Sequence, residues 1–183
     1  TSLRPSGEKN TAPTAPAGRN PGLVLGVVMG EANLEGRDKL TILADPKIKP
    51  FGWWLEQLLA ESSGKSGKGL IPIDDEPEIK PKKYGADRVF VYLRADGKLE
   101  KRAAEIRTAG QPVLTLPINE MIELGAEFFR WEFAAAVACA VLGVNSFDQP
   151  DVQDSKTRTE KRVQSFKQAH VLDEGQPVWE GRG

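Results

Sequence analysis

From Asn20 onward the chain alternates between segments with helical periodicity and short extended runs, and this alternation limits the folds open to it more than any other feature. It predicts a parallel sheet covered by helices, because two parallel strands can be joined only by a crossover long enough to hold a helix. Asn20-Pro21-Gly22 reads as an N-cap with proline at the first helical position. It opens an apolar helix that runs to Glu35 and stops at Gly36. Residues 39–44 (KLTILA) read as a strand. In the next helix Phe51, Trp54, Leu55, Leu58 and Leu59 follow the spacing of one buried face, and the helix ends near Glu61. Residues 70–73 read as a short strand, followed by a Pro-rich acidic connection to Tyr84. Residues 89–93 (VFVYL) form a buried strand, 98–109 a solvated helix stopped by Gly110, and 112–116 (PVLTL) a further strand. The stretch 126–142 is apolar nearly all round, which predicts a central helix packed on more than one side. A last helix is expected over 150–168, with Asp148 or Gln149 near its cap.

Composition narrows the function. The 183 residues, 39% of them apolar, support one domain with a real core, expected over 21–168. Residues 1–20, rich in Pro, Ala, Thr and Gly, read as an arm or linker, and 169–183 as a tail or linker. The first residues lack the apolar core of a signal peptide, and the missing initiating Met reads as a processed or excised piece. One Cys and one His exclude a disulfide scaffold and a Cys/His zinc site, so no metal is expected. Cys139 lies in an apolar run as an inert core thiol, which fits a reducing cytoplasm. With 25 basic against 26 acidic groups, the chain lacks the positive excess of an electrostatic nucleic-acid binder. Its longest apolar run, 133–144, falls short of the roughly 20 residues of a bilayer span. The expectation is a soluble protein that binds neither nucleic acid nor membrane.

Gly64-Lys65-Ser66-Gly67-Lys68-Gly69 invites a phosphate-loop reading, since amides in Gly-rich turns cradle anions. The spacing refuses it: a Walker loop needs glycine five residues before Gly64-Lys65-Ser66, and Leu59 stands there. A mobile surface loop is expected instead. No dinucleotide fingerprint or G-x-S-x-G elbow occurs. Arg130 and Glu132, inside the apolar helix, predict a mutual or inter-domain salt bridge, with Phe129 or Phe133 facing another domain or subunit.

Gln57 and Glu61 are four residues apart, so both lie on one flank of the second helix and can point at one ligand. Glu61 also falls in the last turn, where the negative end of the helix dipole would tend to raise its pKa, as suits a general base. A solvated helix-end glutamate is the competing reading. Asn145-Ser146-Phe147-Asp148-Gln149-Pro150 reads as a capped helix start. Gln149 and Lys156, seven apart, could face one side and meet a sugar hydroxyl or phosphate.

Together these residues resemble the second half of phosphoglucose isomerase. The family pattern Gln-x-x-x-Glu-Ser-x-Gly-Lys is matched by Gln57, Glu61, Ser62, Gly64 and Lys65. The C-terminal Phe-Asp-Gln-x-Gly-Val-Glu-x-x-Lys signature is matched in register by Phe147, Asp148, Gln149, Val152 and Lys156, with Asp151 in place of its Gly and Gln153 in place of its Glu. Asn20-Pro21-Gly22, Gly36-Arg37-Asp38-Lys39 and Phe128-Phe129-Arg130-Trp131-Glu132 look most like the isomerase part of bifunctional transaldolase/phosphoglucose isomerases.

The resemblance implies a sugar isomerase (SIS) domain, a three-layer α/β/α sandwich with a parallel, flavodoxin-like sheet. The reaction it implies interconverts glucose 6-phosphate and fructose 6-phosphate through a cis-enediol without a cofactor, as a step of glycolysis and gluconeogenesis. Glu61 would move the proton between C1 and C2, Gln57 and Gln149 would contact substrate, and Lys156 would bind substrate and assist ring opening. Abstracting a proton beside a carbonyl suits a carboxylate of raised pKa in a partly dry site. The family's Gly-Gly-Arg-[Phe/Tyr]-Ser motif, the Ser/Thr phosphate loop of its first SIS domain and its His-bearing Gly-Thr-Asn-Gly-Gln-His segment are absent. Lone His170 lies past the last helix as a solvated helix-end residue. The chain is therefore expected to hold part of an active site, with a phosphosugar substrate and other domains of a parent chain, or a second subunit, as partners. The alternatives are a non-catalytic phosphosugar-binding SIS module and a plain structural domain.

Overall fold

The computed structural model describes residues 20–172, 175 and 179; the rest of the expected arm and tail lies outside them. The described residues fall into two compact units, one ending at Phe147 and one beginning at Asp148, a division inside the span 21–168.

The first unit is built from α1 (Pro21–Leu34), β1 (Lys39–Ala44), α2 (Lys49–Ser63), β2 (Ile71–Ile73), β3 (Arg88–Arg94), α3 (Glu100–Thr108), β4 (Val113–Pro117) and α4 (Leu124–Leu142). All strand pairs are parallel and the order is β2-β1-β3-β4. The sheet is thus the helix-covered parallel one that the sequence pattern predicts. Pro72, which has no N–H to give a ladder, sits on the edge strand β2, where that loss is tolerated.

Residue alternation along the strands sorts the two faces. Leu40 and Ile42 of β1 and Val89, Val91 and Leu93 of β3 join Leu55 and Leu59 of α2 and Trp131, Ala134 and Ala138 of α4 in one buried core. Phe90 and Tyr92 point to the opposite face, where α3 buries Ala103 and Ile106. The Val, Leu, Ile and Phe side chains among them each contribute about 1.5–3 kcal/mol when fully buried, so the core holds the sheet and its helices together.

Two local features bring the helices into place. Asn20 caps α1, its side-chain oxygen accepting from the amides of Gly22 at 3.0 Å and Leu23 at 3.1 Å. Gly22, Gly26 and Gly30 then form a stripe against α4. A Cβ on Gly26 would lie 2.5 Å from the Ala134 carbonyl oxygen, so only glycine permits the approach. The connection from β2 to β3 contains no helix, only a 3-10 turn at Pro81–Lys83. Polar ties hold it instead: Arg88 donates to Glu76 at 2.8 Å and to the Thr41 hydroxyl at 3.0 Å. The Arg88 and Arg102 guanidiniums also lie 5.1 and 5.8 Å from the Tyr84 ring centroid.

Asp45, directly after β1, is wholly buried, and its carboxylate accepts from the amides of Ala95, Asp96, Gly97 and Leu99 at 2.7–3.0 Å. Burial opposes its ionisation, but the amides outweigh that cost and hold the carboxyl below the ordinary aspartate value. The Tyr92 hydroxyl donates to the same carboxylate at 3.2 Å. The link from β3 into α3 is thereby wrapped around one anion.

One expectation is corrected. Arg130 does not pair with Glu132, which is exposed; it pairs with Glu127 at 2.9 Å. Residues three apart share a helix face, whereas residues two apart do not. Glu127 is buried, and burial pushes its carboxyl up even though Arg130 opposes the shift. The segment 64–69 lies largely at the surface and forms a tight turn. Ser66 and Gly67 take positive φ, and Lys65 and Lys68 exchange backbone hydrogen bonds at 3.0 and 3.1 Å, as in a two-residue hairpin turn.

The second unit contains α5 (Pro150–Ala169), opened by Gln149 and closed by exposed His170 in the left-handed conformation. Among the described residues no helix is long and apolar enough to cross a membrane.

Candidate functional site

Gln57 and Glu61 are brought together on the outer flank of α2. Both are exposed, and the Gln57 amide donates to the Glu61 carboxylate. The opposite flank is anchored, since Leu55 and Leu59 are fully buried. Half-buried Trp54 stacks on Phe51 with centroids 5.4 Å apart and meets the Phe128 ring edge-on at 4.4 Å. The pair is therefore presented to solvent from a helix that cannot roll.

The end of α2 is tied as closely. The Ser63 hydroxyl donates to the Leu59 carbonyl at 2.7 Å and accepts from the Leu70 amide at 2.9 Å. The Cys139 thiol of α4, its pKa raised by burial, donates to the Ser62 carbonyl at 3.4 Å. Gly69, at φ +135°, follows so tightly that a Cβ there would lie 2.7 Å from the Ser63 carbonyl oxygen. Beyond the hairpin, the Lys65 ammonium donates to the Asn145 carbonyl at 2.6 Å and Lys68 to the Leu142 carbonyl at 3.0 Å. The sequence holds no sign of these two contacts, because their acceptors lie 80 and 74 residues away.

Gln149 and Lys156 belong to the second unit. Gln149 is the N-cap residue of α5, with no side-chain cap hydrogen bond, and Lys156 lies nearly two turns further along. Both are exposed. The motif residues are thus presented to solvent from two helices, a carboxylate with an amide donor on α2 and an amide with an ammonium on α5. A carboxylate so placed can accept a proton, and the amide and ammonium groups can hold hydroxyl or phosphate oxygens.

A further acidic group is placed by the fold, with no mark in the sequence. Asp74 lies against Gly52 of α2, in a cleft of ≈170 Å³ also lined by Thr41, Lys49, Glu76, Tyr84 and Arg102. Burial raises its carboxyl, and one of its oxygens is buried without a hydrogen-bond partner. Nothing in the spacing of Asp74, Asp75 and Glu76 distinguishes it from its neighbours, since its burial comes from α2.

The parallel sheet with helices on both faces places the chain in the α/β class, and comparison with known proteins agrees. A crystal structure of a hypothetical protein from Thermus thermophilus matches with a TM-score of 0.65 at 17% identity, over 82% of this chain and 46% of that one. In sequence the chain is similar to glucose-6-phosphate isomerases. That of Leptospira biflexa serovar Patoc is 32% identical over 144 residues, covering 57% of this chain and 32% of that protein. That of Mycoplasmopsis synoviae is 27% identical over 150 residues, with 60% and 35% covered. That of Methanocaldococcus jannaschii is 23% identical over 175 residues, with 75% and 44% covered. The chain spans about a third of the length of the first two. No protein-family profile matches it. These similarities support a relationship to the phosphoglucose isomerase family.

Proposed function

We propose that the chain is the second SIS-domain portion of a glucose-6-phosphate isomerase and supplies the base half of its active site. The observation that carries this reading is the hydrogen-bonded Gln57–Glu61 pair, facing solvent from an anchored helix in a chain similar to glucose-6-phosphate isomerases. Glu61 takes the proton from C2 of glucose 6-phosphate and returns it to C1 of the cis-enediol, and the reverse direction uses the same atoms. Gln57 holds the carboxylate and faces the sugar. Gln149 and Lys156 of α5 contact substrate, and Lys156 assists ring opening. The phosphate grip and the histidine of the family reaction come from other domains of the parent chain or from a second subunit. A transaldolase domain in that chain and a cytoplasmic setting belong to the same proposal.

The test is isomerase activity of the full-length protein. Glu61→Gln should lower kcat by about 10²–10⁴-fold, the usual contribution of a positioned acid–base group. Retained activity would remove Glu61 from the mechanism.

A second reading, a phosphosugar-binding module without catalysis, is favoured by Asp151 and Gln153 standing where the signature has Gly and Glu. It predicts measurable affinity of this chain for 6-phosphogluconate in a calorimetric titration, together with full-length protein that is inactive before any substitution.

A further inference from the structure

We propose that Lys65 is a positioning residue for the Glu61 base: its buried ammonium on the Asn145 carbonyl clasps the end of α2 to the segment that leaves α4. The inference rests on the reading of Glu61 given above. It assigns a task to the Gly/Lys/Ser segment, whose spacing does not fit a Walker loop.

Lysines are almost never buried without a compensating partner, yet Lys65 is only 6% exposed. Its surroundings supply an acceptor. The last turn of α4 contains no basic residue of its own, and its final carbonyls form the negative end of a helix dipole. Lys68 brings an ammonium there, 3.0 Å from the Leu142 oxygen, and Lys65 brings a second one to the Asn145 oxygen, three residues past the helix, at 2.6 Å. Charge-assisted bonds of this kind are roughly twice as strong as neutral ones.

The clasp reaches Glu61 without slack. Lys65 follows Glu61 by four residues, and the turn after it is only two residues long. Between them the Gly64 amide bonds to the Ala60 carbonyl at 2.9 Å, and Ser63 is held by Leu59 and Leu70. Displacing the Lys65 side chain therefore moves the helix end rather than a loop. For a proton abstraction, a misplacement near 1 Å costs on the order of 10²-fold in rate. Lys68 touches the end of α4 but is itself exposed, so it serves as the control.

The experiment uses the full-length protein with glucose 6-phosphate and its C2-deuterated form. Lys65→Met, which keeps the length and removes the charge, should lower kcat by about 10–100-fold with KM changed less than about twofold. Its deuterium isotope effect on kcat should rise above that of wild type, because proton transfer becomes the slow step. Lys68→Met should move neither quantity. A smaller folded fraction would lower kcat but leave the isotope effect alone, so a fall without that rise, or an unchanged kcat, overturns the proposal. If Lys65→Met does not fold, Lys65→Gln is read by the same criteria.

Amide hydrogen exchange reads the clasp apart from activity: residues 59–63 should exchange at least about tenfold faster in the Lys65 variant, and unchanged exchange overturns it. Activity retained in Glu61→Gln would instead overturn the reading of the base and leave the exchange result standing.

Discussion

Helices α2 and α5 each carry two of the four motif residues, and they are held in opposite ways. Over 15 residues α2 buries Phe51, Gly52, Leu55, Leu59 and Ser63, and its last turn is tied by a hydroxyl, a thiol and a hairpin. Over 20 residues α5 buries none, and Val152, Val163 and Phe166 are 39%, 46% and 43% exposed. Its own bonds are local, such as Arg158 to Asp154 at 2.6 Å and the Thr157 hydroxyl to the Gln153 carbonyl at 2.9 Å. The difference matches the tasks proposed for them. A base must be fixed before substrate arrives, because proton transfer depends steeply on geometry, whereas an ammonium on a long side chain can settle onto a phosphate or hydroxyl as it binds.

Substitutions can break or sharpen this contrast. Leu55→Ala should cost about 2–5 kcal/mol in denaturant unfolding, as expected for a fully buried leucine. A cost below about 1 kcal/mol would mean that α2 is not the anchored helix. Asp45→Asn, just before α2, should cost about 1.5–3 kcal/mol at neutral pH through the loss of a charged acceptor. The depressed acidity of Asp45 sets the pH dependence. Its contribution is fully present above the ordinary carboxyl value of 3.8 and is lost as pH falls through the lower folded value. Thermal melts of wild type and variant should therefore converge only in strong acid.

Ser63→Ala should cost about 1 kcal/mol, since a buried hydroxyl bridges the Leu59 carbonyl and the Leu70 amide. Phe166→Ser on α5 should change stability by less than about 0.5 kcal/mol. A loss above about 1.5 kcal/mol would show that the apolar residues of α5 are covered in solution and would erase the contrast.

The fold was legible because its signals are local. The expected strand at 39–44 is β1 to the residue, and the helix stops at Gly36 and Gly110 fall within two residues of the observed ends. The pairing of Gln57 with Glu61 was legible for the same reason, as a one-turn spacing on one helix. What was missed is held by partners distant in sequence. Asp45 finds its donors about 50 residues away, and Lys65 its acceptor 80 residues away. Glycine and lysine next to each other read as mobility when the carbonyls they meet are out of view. Arg130 was misjudged for a different reason: the glutamate nearest in sequence stands on the wrong side of the helix, and the partner on the right side lies one turn back.

The wrapped carboxylate of Asp45 also sets what this sheet can recruit. The carboxyl ends of β1 and β3, with α2 and α3 leaving on opposite faces, form the crevice where open parallel sheets ordinarily receive ligands. Here the amides at the head of α3 already hold an anion, and that anion is joined to the chain. A tethered ligand competes at an effective concentration that free metabolites seldom reach. An incoming phosphate would meet amides that already donate to Asp45, so it could bind them only by displacing a carboxylate that the chain itself keeps in place.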